Sequence, residues 1–192
     1  ASTAVRVDAA GLVETVAADV PRFDHHPMTG ARRGLLIEEA RANLIPRSED
    51  FADAAWTKDN VAAGSAASGP DGNASAQALA EDTETGQHRA RQTGAPFTAG
   101  AVLAVSCFLK AAGRGFATLQ FGAANGFRAC FDLEAGTLAA GFAGASFGTG
   151  TFVSAGIQPM PGGWRRCWIV GQEDPAATLG EAFVNRGVVM MA

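Results

Sequence analysis

The sequence predicts an all-β protein, an antiparallel jelly-roll β-sandwich preceded by an extended N-terminal arm. Three observations support this fold class. Apolar and polar residues alternate with the period of a β-strand in six runs within residues 102–191. The alternating runs are short, and they are bounded by Gly, Pro or Asn, which favour turns. Residues 1–42 contain short alternating runs and turn signals but too few apolar residues for a core of their own.

Six runs in residues 102–191 are the clearest predicted strands. Within residues 127–133 the odd-numbered positions are all apolar, whereas Arg128 and Asp132 occupy even-numbered positions. Successive side chains of a strand point to opposite faces, so the odd positions should face the core and Arg128 should face at least partly to solvent. The six runs are "VLAVSCFLK", "FATLQFG", "FRACFDLEAGTL", "GTFVSAG", "WRRCWIVG" and "EAFVNRGVVMM". Short runs of this kind are typical of antiparallel sandwiches and barrels.

The segment "RRGLLIEEARANLI", residues 32–45, has a different pattern. Leu35, Leu36 and Leu44 fall close to helical spacing, and Pro46 would end a helix before it grew long. The pattern predicts either a helix of about one to three turns or an irregular strand.

We place the junction between the arm and the sandwich in this segment, so that residues 1–42 form a docking arm or linker and residues 43–192 form the sandwich domain. The apolar residues should form a buried plug, and the charged residues should form a polar clamp in which Arg41 pairs with a carboxylate. The junction residues are Leu35, Leu36 and Ile37 in the plug and Glu38, Glu39 and Arg41 in the clamp.

Composition and charge exclude several classes of function. The net charge of the 192 residues is -4, and the 15 basic residues are scattered, which argues against nucleic acid as a partner. No apolar run approaches the roughly twenty residues that span a bilayer, so no membrane insertion is predicted. The N-terminus also lacks the basic start and apolar middle of a signal peptide.

No constellation of catalytic residues emerges, and we predict a protein that is not an enzyme. The sequence has no G-x-S-x-G motif and no Walker lysine. An enzyme that cleaves polysaccharide would need two carboxylates about 5 to 10 Å apart in a wet groove. No two carboxylate residues stand out in the sequence as such a catalytic pair.

No metal-binding residue and no cofactor are predicted. The adjacent His25 and His26 would point to opposite sides of an extended chain. A structural calcium ion held by Asp71 and Asn73 of "PDGNAS" is the weaker alternative, because a plain turn explains these oxygens as well. The three widely separated cysteines lie in apolar stretches and are interpreted as buried free thiols.

Four residues are the candidates for ligand binding. Trp164, Arg166 and Trp168 of "WRRCWIVG" share one strand face, and Arg128 occupies the polar face of another strand. Trp and Arg together indicate a concave surface or an interface, and the alternative is that Arg stems pack on Trp at the edge of the core. The sequence contains no Tyr, which weighs against a sugar-binding surface.

The order of motifs in residues 1–58 resembles the leader of a family of bacteriophage and prophage virion proteins, which are tail-fibre-like or other minor structural components. The specific parts of the match are "PRFDHHPMTG", "GLLIEEARANL" and "SEDFADAAWTK". Further along, "GPDGNASAQALAEDTETGQHRARQ" and "GGWRRCWI" resemble the same family more loosely.

The resemblance implies a virion protein of a phage or a phage-derived particle. Its arm would bind other virion proteins, and a jelly roll similar to carbohydrate-binding modules would attach to host-surface polysaccharide; a homo-oligomer is also implied. The alternative is a module that only packs against other subunits and binds no glycan.

The family usually continues beyond "VVMMA", so we expect a C-terminal tail to be missing. Ala52 follows Phe51 where related modules often have a Glu that helps to bind calcium, which argues against the ion.

Overall fold

The computed structural model describes residues 4–38, 42–185 and 188–191, and these residues form antiparallel strands, turns and one 3-10 turn at Pro161–Gly163. No helix of the described residues is long and apolar enough to cross a bilayer. The strands are, in chain order, β1 (Ala4–Val7), β2 (Val13–Val16), β3 (Phe23–His25), β4 (Arg32–Leu35), β5 (Thr57–Asp59), β6 (Val61–Ala67), β7 (Ala76–Glu81), β8 (Arg89–Pro96), β9 (Leu103–Ala111), β10 (Phe116–Phe121), β11 (Gly126–Asp132), β12 (Thr137–Leu138), β13 (Ala145–Phe147), β14 (Thr151–Pro159), β15 (Arg165–Gln172), β16 (Leu179–Asn185) and β17 (Val188–Met191).

Two sheets form the main body of the protein. Sheet I has the strand order β12-β11-β10-β16-β8-β5, with β13 also paired to β11. Sheet II has the order β14-β15-β9-β17-β7-β6. The strands from β7 to β10 alternate between the two sheets, and so do β15 to β17. The prediction of an all-β protein built from antiparallel sheets is therefore confirmed.

The core lies between the sheets, where the inward side chains of both pack together. Phe127 of β11 and Leu119 of β10 come from sheet I, and Leu109 and Ile169 come from sheet II; all four are fully buried. Gly171 of β15 leaves the space that the Phe127 ring fills, because a Cβ at this position would lie 2.3 Å from Phe127 Cγ. Burial of each large apolar side chain stabilises the fold by about 1.5–3 kcal/mol.

Two of the cysteines belong to this core. Cys107 and Cys167 are opposite each other on β9 and β15, and both are buried thiols outside any disulfide, as predicted. Burial in apolar surroundings raises the pKa of both thiols, so they remain protonated at neutral pH. Cys130 is free as well but only half-buried.

The turns between residues 42 and 56 close one end of the core. Phe51 and Trp56 are buried there with their ring centroids 4.5 Å apart. The Lys58 ammonium donates to three backbone carbonyl oxygens, those of Phe51 at 3.0 Å, Asp53 at 3.3 Å and Trp56 at 3.0 Å. Each proton of the ammonium can therefore bond one carbonyl, and the lysine holds the turns against the sandwich.

The first hairpin, β1 with β2, packs against the sandwich. Val13 of this hairpin contacts Ala76, Met160 and Trp164 in a small second core. Its N–H donates to the carbonyl oxygen of Pro70 at 3.0 Å. This hairpin thus has a defined contact with the sandwich, and the division into an arm of residues 1–42 and a jelly-roll domain of residues 43–192 stays a prediction.

The segment 32–45 does not form the expected buried plug. Residues 32–35 form strand β4, which agrees with the strand alternative and not with the helix. Leu35 is 53% exposed and Ile37 is 83% exposed, whereas Leu36 is half-buried. The reason is that β4 pairs only with β3, and this two-stranded sheet has no second layer to cover its side chains. The plug prediction is therefore wrong for Leu35 and Ile37.

Of the three residues of the predicted polar clamp, the structure describes Glu38. Glu38 accepts a hydrogen bond from Arg22 at 2.6 Å, in a pair that is partly exposed. Exposed pairs of this kind contribute only about 0–1 kcal/mol. Glu39 and Arg41 lie outside the described residues.

Replacement of Lys58 by Met should lower the free energy of unfolding by about 2–4 kcal/mol, because three carbonyl oxygens lose a charged donor. Urea denaturation of the purified chain measures this change. Lys110→Met is the matched control, since it removes the same charge where the ammonium bonds none of the described residues, and it should cost less than about 0.5 kcal/mol. Equal losses in the two variants would contradict the role assigned to Lys58.

Candidate functional site

The outer face of sheet I carries an open groove with a volume of about 630 Å³, which we call the sheet I groove. Outward side chains of β8, β10 and β11 form its floor, and the β7–β8, β9–β10 and β12–β13 connections contribute to its walls. Two aromatic rings, Phe142 and Phe147, also line it. The polar lining residues are Glu81, Gln87, His88, Arg89, Arg114, Thr118, Gln120 and Arg128.

Strand alternation explains why the floor is polar. Leu119 and Phe127 point into the core, so Thr118, Gln120 and Arg128 beside them point outward. Gln120 and Arg128 are direct partners in the pairing of β10 with β11. Three polar side chains therefore lie together on a rigid surface of two paired strands.

Arg128 is held in the groove by aromatic rings rather than by a carboxylate. Its guanidinium carbon lies 5.2 Å from the centroid of Phe142 and 5.4 Å from that of Phe147. Cation–π contacts at this distance contribute about 0.5–1 kcal/mol each at exposed sites. Among the described residues, no carboxylate oxygen lies within 4.0 Å of the Arg128 guanidinium. The side chain is thus positioned but its charge is not paired.

The other two arginines of the groove are paired. Arg114 donates from Nε and Nη2 to the same Glu81 oxygen, Oε2, at 3.0 and 2.8 Å. Arg89 donates from Nε to Asp59 Oδ2 at 2.7 Å. These two cations already have anionic partners, which sets them apart from Arg128.

Arg89 also belongs to a wider ion-pair network at one side of the groove. Arg91 bridges Asp59 at 3.1 Å and Glu181 at 2.6 Å. The Arg89 guanidinium covers the ring of Phe183, which is buried although it belongs to the outer face. Hydrogen bonds from Arg89 and Arg91 hold the pKa of the Asp59 carboxyl below its usual range, although burial opposes this.

Two floor residues offer free hydrogen-bonding atoms. Gln120 donates from Nε2 to the carbonyl oxygen of Gly122 at 2.8 Å, which fixes the orientation of its amide. In the described part of the chain, Gln120 Oε1 and the Thr118 hydroxyl have no hydrogen-bond partner. Together with Arg128, the floor presents one oriented acceptor, one hydroxyl and one guanidinium.

The four predicted ligand-binding residues lie in different parts of the fold, and ligand binding by them stays a prediction. Arg128 lies in the sheet I groove, whereas Arg166 and Trp168 lie on the outer face of sheet II, on the opposite side of the sandwich. The Trp168 ring lies across β14 at Gly156, where a Cβ would be 2.1 Å from the indole. Trp164 is only 2% exposed beneath the first hairpin, so it is not accessible to a ligand.

The oxygens proposed for calcium close their own turn. Asp71 Oδ1 accepts hydrogen bonds from the Asn73 N–H at 3.0 Å and the Ser75 hydroxyl at 2.6 Å. Burial opposes ionisation of Asp71, but these hydrogen bonds hold the pKa of its carboxyl below the usual range. Within residues 4–38, 42–185 and 188–191, no three His, Cys, Asp or Glu side chains are grouped as a metal site would require.

Sequence reasoning missed most of the groove. The outward positions Thr118 and Gln120 could have been found from the same alternation that identified Arg128. Gln87, Phe142 and Phe147 lie on different connections or on a short edge strand, and their meeting depends on the tertiary fold. No local pattern in the sequence marks them.

Comparison with known proteins identifies no relative, so the sheet I groove is the main evidence on function. The sequence matches no protein-family model, and no curated protein is significantly similar to it. The resemblance to virion proteins therefore rests on the quoted motifs alone.

Replacement of Asp59 by Asn should cost about 1 kcal/mol of stability at pH 7, because two arginines lose a charged partner at a partly exposed site. The folded-state pKa of Asp59 is lowered, so the contribution is complete above the unfolded value of about 3.9 and is lost as the pH falls through the folded value. The difference from the unaltered chain should therefore shrink below about pH 4 and vanish once the pH lies below the folded-state pKa.

Thermal or urea unfolding at a series of pH values measures this difference. Asp19→Asn is the control, since it makes the same chemical change at an exposed site with no ion pair among the described residues. A cost for Asp59→Asn that does not depend on pH would contradict the ionic origin of the network.

Proposed function

We propose that the chain is a non-enzymatic component of a phage-like virion, a fibre, spike or decoration protein, whose sandwich domain binds host-surface polysaccharide in the sheet I groove. The groove is the observation that carries the proposal. Its volume of about 630 Å³ falls in the range of roughly 300–1,000 Å³ that is typical of small-molecule sites.

The chemistry of the groove suits a saccharide. A sugar ring presents hydroxyl groups at its edge and C–H groups on its faces, so it needs both hydrogen-bonding and apolar partners. Gln120 and Thr118 supply the first kind, and Phe142 and Phe147 supply the second. The absence of Tyr does not weaken this argument, because the aromatic surface of the groove is provided by Phe.

Binding without cleavage is the better-supported chemistry. Hydrolysis of a glycosidic bond commonly uses two carboxylates on either side of the bond. Of the described residues that line the groove, Glu81 is the carboxylate, and its Oε2 accepts from Arg114. An assay for depolymerisation of the bound polysaccharide tests this part, and turnover would contradict it.

The arm supports a role in an assembly. Six of the ten large apolar residues that are exposed in the described chain lie in residues 4–38, a short part of its length. Exposed apolar clusters commonly mark interaction sites. We propose that this surface binds other virion proteins, and that the chain forms a homo-oligomer there. The six residues are Val5, Val20, Phe23, Met28, Leu35 and Ile37.

A second candidate function is subunit packing without a glycan ligand. Phe116, Val102, Val153 and Leu179 are exposed on the sandwich itself. A density map of the assembled particle separates the two functions. Burial of the sheet I groove against a neighbouring subunit would support packing, and its exposure to solvent would support glycan binding.

An array of host-surface polysaccharides tests the proposed function directly. We expect the chain to bind at least one polysaccharide, and Gln120→Ala to weaken that binding about tenfold, the loss of roughly one hydrogen bond. Ser106→Ala on the outer face of sheet II is the control and should bind like the unaltered chain. Failure to bind any host-surface polysaccharide would contradict the proposal.

A further inference from the structure

We propose that the ligand of the sheet I groove is an acidic saccharide whose carboxylate is bound by the guanidinium of Arg128. The inference rests on the proposed function, and it adds the chemical class of the ligand. Its basis is the distribution of charge over the groove and the way in which Arg128 is held.

The charge of the groove is not balanced by the described residues. Three arginines line it, and two of them donate to carboxylates, Arg114 to Glu81 and Arg89 to Asp59. Arg128 is the arginine for which the described residues provide no carboxylate within ion-pair distance. One positive charge is therefore left for a ligand, and a neutral sugar would leave it unpaired.

The contacts of Arg128 position the side chain without using its donors. Phe142 and Phe147 face the guanidinium but have no hydrogen-bond acceptor in their side chains. None of the described residues accepts a hydrogen bond from Arg128, so its N–H groups remain for a ligand. A guanidinium presents them in a planar fork that matches a carboxylate. Because the rings limit the freedom of the side chain, less entropy is lost when the ligand binds.

A carboxylate fits the site better than a phosphate. A phosphate group carries a charge of about -1.5 to -2 at neutral pH, whereas a carboxylate carries one negative charge. One unpaired cation matches one carboxylate. A phosphate would leave excess negative charge in a groove that also contains Glu81. The Thr118 hydroxyl and Gln120 Oε1 then remain for the neutral hydroxyl groups of the same sugar.

Matched sugars that differ only in the carboxylate test the inference. The probes are methyl glucuronide against methyl glucoside, and methyl galacturonide against methyl galactoside, with glucose 6-phosphate as the phosphate probe. Each is titrated into the full chain while the Nε–H resonance of Arg128 is followed by NMR. We expect at least one acidic sugar to bind about tenfold or more tightly than its neutral partner and than the phosphate, with a shift of the Arg128 resonance.

Two variants of Arg128 test whether the preference for the acidic sugar depends on the guanidinium group or only on a positive charge. Arg128→Gln should abolish the preference for the acidic sugar, and Arg128→Lys should lose most of it because an ammonium lacks the planar fork. Arg166→Gln is the matched control, since it removes the same charge from an exposed arginine on the outer face of sheet II, and it should keep the preference.

The inference would be overturned by equal binding of acidic and neutral sugars in both pairs, by tighter binding of the phosphate, or by a preference that survives Arg128→Gln. Its failure is distinguishable from that of the proposed function. Binding of neutral polysaccharide on the array, independent of Arg128, would leave the proposed function standing and remove only the acidic ligand. Binding of no polysaccharide would remove the proposed function itself.

Discussion

The packing of β11 against sheet II determines both the core and the groove. Phe127 fills the space above Gly171, and this fixes which face of β11 turns inward. Because side chains alternate along a strand, Arg128 must then point outward between Phe142 and Phe147. A shift of one residue in the pairing of β11 would bury the arginine and expose the phenylalanine, so the core specifies the position of the Arg128 side chain.

Several charged residues of the sandwich have specific partners. Lys58 closes the turns at one end of the core by bonding three carbonyl oxygens. Asp59, the next residue, faces the other side of β5 and joins Arg89 and Arg91 at the side of the groove. Two adjacent residues of one short strand thus stabilise the core and the groove wall, and Arg128 stands apart because the described residues leave its charge unpaired.

The sequence predicts some parts of the structure better than others. Alternation along residues 127–133 predicted the strand and the outward position of Arg128, because a strand has only two faces. The same reasoning placed Trp164 and Trp168 on one face correctly, but it could not say that the first hairpin covers Trp164. The apolar spacing in residues 32–45 left a short helix and an irregular strand open, and residues 32–35 form a strand because they pair with β3. Residues of the groove walls meet only through the tertiary fold, and no local pattern reveals them.

We propose that the protein binds its ligand on the outer face of sheet I. Chemical-shift mapping over the whole backbone, with an oligosaccharide from a polysaccharide that the chain binds, tests it most directly. We expect shifts concentrated at Thr118, Gln120 and Arg128. Shifts concentrated instead around Arg166 and Trp168, on the outer face of sheet II, would contradict it.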